Sequence, residues 1–278
     1  FLLVAVIGSY MSRPADAFAV ASTLPTNVYE LLAAGVITGI SLLPLGYVVV
    51  SAAQVPPGEA LDFLWRPRVG ELLWNTTRLL VCGVLLSAAI GVGSAWLVVR
   101  TDLPRPGLWH GLLCAPLAVP AFVNGYGWVS LTHAVQSFPG AVLVVSLSYY
   151  PLVYLPSVAA LRRLDSSVED VAAGLGRRPL STFLRVVLPA ISPAVLGGSL
   201  LVGLHLLGEY GALQLLNYPT LTTAILAQYR STFNGPEATL LALVLVVFCL
   251  LLLLLELVLR GRRRHARLAR DVDHLQVA

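Results

Sequence analysis

Residues 238–259, ATLLALVLVVFCLLLLLLELVL, form a run of 22 in which Glu256 is the single charged residue. At about 1.5 Å of rise per residue, a helix of this length covers the roughly 30 Å of hydrocarbon in a bilayer. A helix apolar on every face needs lipid or a large protein interior around it. The rest of the chain resembles the run rather than enclosing it, since 57% of residues are hydrophobic and 12% charged. Mean hydropathy is +0.82. These values describe an integral, all-α membrane protein, not a soluble domain. Five further windows are long enough to span, at 30–52, 76–99, 107–131, 140–161 and 191–216. Pro116, Pro120 and Asn124 interrupt the third of the six, and His205 and Glu209 the fifth.

All 18 basic residues are arginine. Six spans put 14 of them on the side of the termini: Arg13, Arg100, Arg105, Arg162, Arg163, Arg177, Arg178, Arg185 and the six of the tail after residue 259. Arg66, Arg68, Arg78 and Arg230 fall on the other side. The positive-inside bias therefore predicts that both termini, and the 169–193 segment, are cytoplasmic in a multi-pass membrane protein. The tail GRRRHARLAR reads as a stop-transfer anchor against anionic lipid, so the net charge of +4 calls for no nucleic acid.

Residue types exclude several chemistries. A Walker A loop needs a lysine, and the chain has none, so any ATP-driven role requires ATP to bind another polypeptide. Cys82, Cys114 and Cys249 stand singly in apolar stretches and read as buried inert thiols. Ser94 in GVGSA lacks the second flanking glycine of a nucleophile elbow and reads as a packing residue. Gly35 and Gly39 have the spacing of a close helix contact, a frequent match in apolar sequence.

The segment EDVAAGLGRRPLSTFLRVVLPAISP, residues 169–193, is charged and glycine-punctuated between two spans. Ser166 or Ser167 is placed to cap a helix whose first turn holds Glu169 and Asp170, where the helix dipole favours acids. Gly174 and Gly176 interrupt it, and Pro179 begins a second short helix running to Leu188 and Pro189. The expectation is helix, turn, helix outside the bilayer. Phe183, Leu184 and Val187 supply an apolar face for a partner's cleft, with charged residues on its rim.

This loop resembles the EAA motif of permease subunits of ABC importers. Asp170, Val171 and Ala172 occupy the EAA positions, Gly176 the glycine, and Phe183, Val186, Leu188, Pro189 and Pro193 follow at the family spacing. Asp replaces Glu and Val replaces Ala at the first two positions, and Glu169 is available to share the acidic role. Residues 75–104, 115–131, 149–156 and 208–225 resemble the iron(III)-type branch, most like the first of its two halves. The resemblance implies the six-helix type I importer permease fold over 30–260, with a coupling loop at 164–190, an N-terminal segment 1–29 and an Arg-rich tail 261–278. It also implies a non-catalytic subunit that binds no cofactor and docks onto a cytoplasmic ABC ATPase dimer, which carries ATP and Mg. The coupling residues would be Glu169, Asp170, Ala172, Gly176, Phe183, Leu188 and Pro189. An extracytoplasmic substrate-binding protein and a second permease half are the other implied partners. That half would be a copy, a homologue, or the remainder of a longer chain, the last favoured by the missing initiator methionine. Iron(III) is the expected substrate; thiamine, phosphonate, polyamine, sulfate and molybdate permeases share the scaffold.

Within the membrane, His205 and Glu209 lie four apart and are expected on one helical face. Intramembrane ionisable groups cost at least roughly 2.5 kcal/mol at mid-helix and usually face a bundle interior or water. With Asn124, Tyr126, Tyr149, Tyr150 and Tyr210 they are candidates for the path or its gate; mutual satisfaction of His205 and Glu209 between helices is the structural alternative. No cluster has metal-ligand spacing, so a weakly polar aqueous path without a tight metal site is expected.

Overall fold

The computed structural model describes residues 14–164, 179–231 and 235–276. Glu169, Asp170, Ala172 and Gly176 lie outside the described residues. The regular structure of the described residues is all helical, and the chain divides into two units, Phe1–Gln54 and Val55–Ala278.

The first unit contains α1, Pro14–Ala53, a helix that begins well before the window read from hydropathy. Its apolar part, Ala34–Ala53, is long enough to span.

The second unit runs through α2 (Pro57–Leu64), α3 (Pro67–Arg100), α4 (Pro106–Cys114), α5 (Ala121–Leu131), α6 (Phe138–Tyr149) and α7 (Pro151–Arg163). After the undescribed interval come α8 (Pro179–Thr182), α9 (Leu188–Gly208), α10 (Gly211–Leu215), α11 (Leu221–Ser231) and α12 (Gly235–Gln276). Three of its helical stretches are straight candidate spans: Pro67–Arg100, Phe183–Gly208 and Glu237–Val258. Two further candidates are bent pairs, each a broken span or a re-entrant loop: α4 with α5 at 93° and α6 with α7 at 46°. Counting each pair once and including α1 gives up to six spans.

Proline accounts for both bends. A 3₁₀ turn, Ala115–Ala118, follows α4, and Val119 and Pro120 then adopt extended backbone before α5 starts. Neither Pro116 nor Pro120 can donate a backbone hydrogen bond, so the 107–131 window cannot remain one helix. Pro151 opens α7 in the same way, where the missing donor is harmless.

The packed centre is α3, α7 and α9, with α6 alongside α3. Ala95, Val153, Tyr154, Leu161, Ile191 and Val202 are buried there. Between helices in lipid, small residues rather than the hydrophobic effect permit close approach. A Cβ on Gly91 of α3 would lie 2.9 Å from Val153 Cβ, and one on Gly198 of α9 would lie 2.7 Å from Val153 Cα. Val153 is therefore pinched between two glycines of different helices.

At the end of the bundle that holds the α3 N-terminus, the chain between α10 and α11 docks on α3. Asn217 takes the left-handed conformation, φ 53°, which asparagine tolerates better than most residues. Asn75 Nδ2 donates to Pro219 O at 3.1 Å, and the Leu221 N–H donates to Thr76 Oγ1 at 3.0 Å. Arg78 Nε donates to Tyr218 Oη at 2.6 Å, with the guanidinium 4.6 Å from the Phe138 ring centroid. Burial raises the Tyr218 pKa, with Arg78 pulling the other way.

The return arm of the 169–193 segment differs from expectation. The helix started by Pro179 does not stop at Leu188 and Pro189; it continues through a π-helical turn, Phe183–Val187, directly into α9. Pro189 has no N–H to offer the preceding turn, and the Leu188 N–H reaches back to Phe183 O instead. This widened turn directs Phe183 and Val187 into the bundle. Val187 is fully buried and Phe183 meets the Trp96 ring edge-on at 5.6 Å. Leu184 and Arg185 are the exposed members of the turn, so the outward apolar face is narrower than the sequence suggested.

Candidate functional site

α9 ends at Gly208, and Glu209 leaves helical geometry with ψ 117°. The fifth span thus stops inside the 191–216 window, and His205 and Glu209 do not share a helical face. The cause is local: Glu209 Oε1 accepts the Ala212 N–H at 2.8 Å, satisfying a free donor at the start of α10 as a capping side chain does. Glu209 Oε2 accepts the Tyr149 hydroxyl. His205 Nδ1 lies 2.9 Å from Leu201 O, and its ring lies against that of Tyr149, tilted by 52° with centroids 5.3 Å apart. Both His205 and Glu209 bond elsewhere, and Tyr149 is the group that joins them.

These three side chains line a cavity of about 360 Å³. The segment 116–122 between α4 and α5 forms one wall, Ser148 and Leu152 another, and Gly211 lies at its edge. Asn124 Nδ2 donates to Ser148 Oγ at 2.7 Å, which ties a fourth candidate to the residue that precedes Tyr149. Among the described residues, Glu209 is the one carboxylate in the lining and no arginine lines it. The arrangement offers acceptors, one imidazole and aromatic faces. Among the described residues no group of His, Cys, Asp and Glu is arranged to hold a metal ion.

The remaining candidates fall elsewhere. Tyr150 is buried in the packed centre, its carbonyl facing Gly91. Tyr126 is 64% exposed on α5. Tyr210 sits half-buried in the break before α10. The sequence reading missed Ser148, whose position one residue before Tyr149 was the available signal, and the Pro116–Phe122 wall, whose prolines were noted only as interruptions.

A second site lies at the roots of the 165–178 interval. Arg100 Nη2 donates to Leu161 O at 3.2 Å and Leu164 O at 2.8 Å, fixing the chain where it departs from α7. Trp96, one turn earlier on α3, holds Phe183 where it returns. One helical turn of α3 therefore grips both roots, and neither Trp96 nor Arg100 was singled out from sequence.

Over 221 residues the chain is 40% identical to an Fe(3+)-transport system permease protein of Haemophilus influenzae, covering 80% of this chain and 44% of the relative. It therefore spans less than half of that protein's length. A sulfate transport system permease protein of Escherichia coli is 27% identical over 260 residues, covering 84% of this chain and 89% of the relative. Among solved structures, a bacterial ABC transporter for alginate import superposes with a TM-score of 0.64 at 12% identity, covering 87% of this chain and 96% of that one. The inward-facing MetNI methionine transporter gives 0.59 at 16%, covering 71% and 98%. At these identities the superpositions speak to fold, and the fold is that of type I ABC importer permeases. Residues 90–265 match the family described as the binding-protein-dependent transport system inner membrane component, and the chain belongs to that family as a multi-pass membrane permease.

Proposed function

We propose that this chain is one half of the translocation pathway of an iron(III)-type ABC importer, working with a second permease half, a cytoplasmic ATPase dimer and an extracytoplasmic binding protein. The observation that carries the substrate is the 40% identity to an Fe(3+) permease, against 27% for the sulfate permease compared above. In this reading ATP and Mg belong to the ATPase, both termini are cytoplasmic, and the 165–178 interval faces the same side.

Coupling then runs through the two roots of the interval. Phe183 and Arg100 tie it to α3 and α7, while Glu169, Asp170, Ala172 and Gly176, with exposed Leu184 and Arg185, meet the ATPase. Leu188 and Pro189 transmit the movement by beginning α9, which runs from the loop to His205 at the cavity. The cavity is the path segment of this half, and the binding protein sets specificity.

Reconstitution with candidate ATPase and binding-protein partners tests the proposal. ATP-dependent uptake of iron(III) delivered by the binding protein is expected; uptake of sulfate or molybdate instead would overturn the substrate, and ATP-independent uptake would overturn the mechanism.

A further inference from the structure

The cavity is bordered by two breaks in the helical framework. One is at Val119 and Pro120, where the third crossing turns by 93°. The other is at Glu209, where the fifth stops. The pieces beyond these breaks, α5 and α10, pack directly on each other. A Cβ on Gly125 would lie 3.5 Å from Ala212 Cβ, and one on Gly211 would lie 2.9 Å from Phe122 Cβ. Gln136 Nε2, just past α5, donates to Leu215 O at 3.1 Å, closing the far end of the pair.

Two adjacent residues at the C-terminal end of α6 hold the pair from outside. Ser148 Oγ accepts from Asn124 of α5, and the Tyr149 hydroxyl donates to Glu209 at the start of α10. We propose that α5 and α10 form a single flap over the cavity, hinged at Pro120 and Glu209, and that Ser148 and Tyr149 are its latch. Tyr149 is then a positioning residue whose hydroxyl keeps the cavity covered, not a ligand for the transported solute. Glu209 serves as hinge and keeper together: one carboxylate oxygen starts α10 and the other receives the latch.

The inference uses the permease reading only for what passes through the cavity, and its test needs no transported solute. Leu152 lines the cavity from α7, outside the flap. In a chain carrying Leu152→Cys with Cys82, Cys114 and Cys249 replaced by alanine, embedded in nanodiscs with its partners, the rate of alkylation by a hydrophilic maleimide reports opening. Tyr149→Phe keeps the ring against His205 and removes the latch donor; it is expected to raise the rate roughly tenfold, as for a lost hydrogen bond to a charged group. Ser148→Ala is expected to raise it about threefold, as for a neutral one. Equal labelling in either correctly inserted variant overturns the latch.

A Gly125→Cys and Ala212→Cys pair meets the Cβ separation of a disulfide. Added to Tyr149→Phe in the wild-type Leu152 background, with accessibility read from hydrogen exchange of the Leu152 amide, oxidation should leave the increased opening in place. Loss of the increase on oxidation shows α5 and α10 moving separately and overturns the single flap. Failure of uptake by the unmodified complex would count against the transport reading and leave these results standing.

Discussion

Arg78 donates from Nε to the Tyr218 hydroxyl at 2.6 Å across 140 positions of sequence, and that hydroxyl donates onward to Asn75 O at 3.2 Å. Among the described residues no carboxylate pairs with Arg78. Its charge is instead met by the phenol oxygen and by the faces of Phe138 and Tyr218.

Tyr218→Phe keeps the ring but strands the Arg78 Nε donor. The expected loss is about 1–3 kcal/mol of stability, measured as a lowered melting temperature in detergent. Because burial raises the Tyr218 pKa above its ordinary 10.0, folding retains the proton more tightly than unfolding does. The stabilising contribution is therefore complete below pH 10.0 and declines as pH rises beyond it. The difference between wild type and Tyr218→Phe should shrink only at alkaline pH.

Gly91→Ala and Gly198→Ala each push a methyl group into the backbone around Val153. A loss of about 1–3 kcal/mol per substitution is expected from overpacking. Gly83→Ala should cost less, because its nearest neighbour is the flexible end of Leu206 rather than backbone. Thermal unfolding of the three variants in one detergent orders them; an equal or larger effect at Gly83 would contradict the packing account.

Trp96→Ala removes the ring that holds Phe183, and Gly176→Leu alters the loop at the glycine of the EAA pattern. Both should insert normally yet lose ATP-driven uptake by roughly tenfold, the scale of a modest coupling energy, while ATP hydrolysis by the partner continues. Coupled uptake unchanged in Gly176→Leu would sink the coupling assignment.

The isolated chain is expected to bind no stoichiometric iron(III), since the cavity presents one carboxylate and one imidazole rather than a ligand set. Equilibrium dialysis followed by metal analysis checks this directly, and one iron per chain would show that the path itself selects the ion.

How far each element was legible depends on how local its cause is. The span 238–259 needed nothing beyond its own apolarity, and Glu237–Val258 is the corresponding span of the structure. The break in the third crossing was signalled by Pro116 and Pro120, because proline acts on its own backbone. The break at Glu209 was not, because a glutamate stops α9 only by capping α10 and receiving Tyr149, a partner 60 residues away. The flanking Gly208 and Gly211 were the overlooked local sign. Phe183 was read as facing outward because a regular helix was assumed; the π-helical turn ahead of Pro189 rotated it inward. Arg100 entered the sequence reading only as one of the arginines on the side of the termini and Trp96 not at all, because their grip on the loop exists only in three dimensions.

α3 is 34 residues long, roughly 50 Å at helical rise and so well beyond the hydrocarbon thickness. Its last turn holds both roots of the loop, and its first third carries Asn75, Thr76 and Arg78, which hold the chain between α10 and α11. In the coupling scheme proposed above, a pull on the loop would travel along α3 as one stiff rod to its other end. The segment it meets there leads directly back to α10, so a pull delivered at one surface arrives at the cover of the cavity from the other.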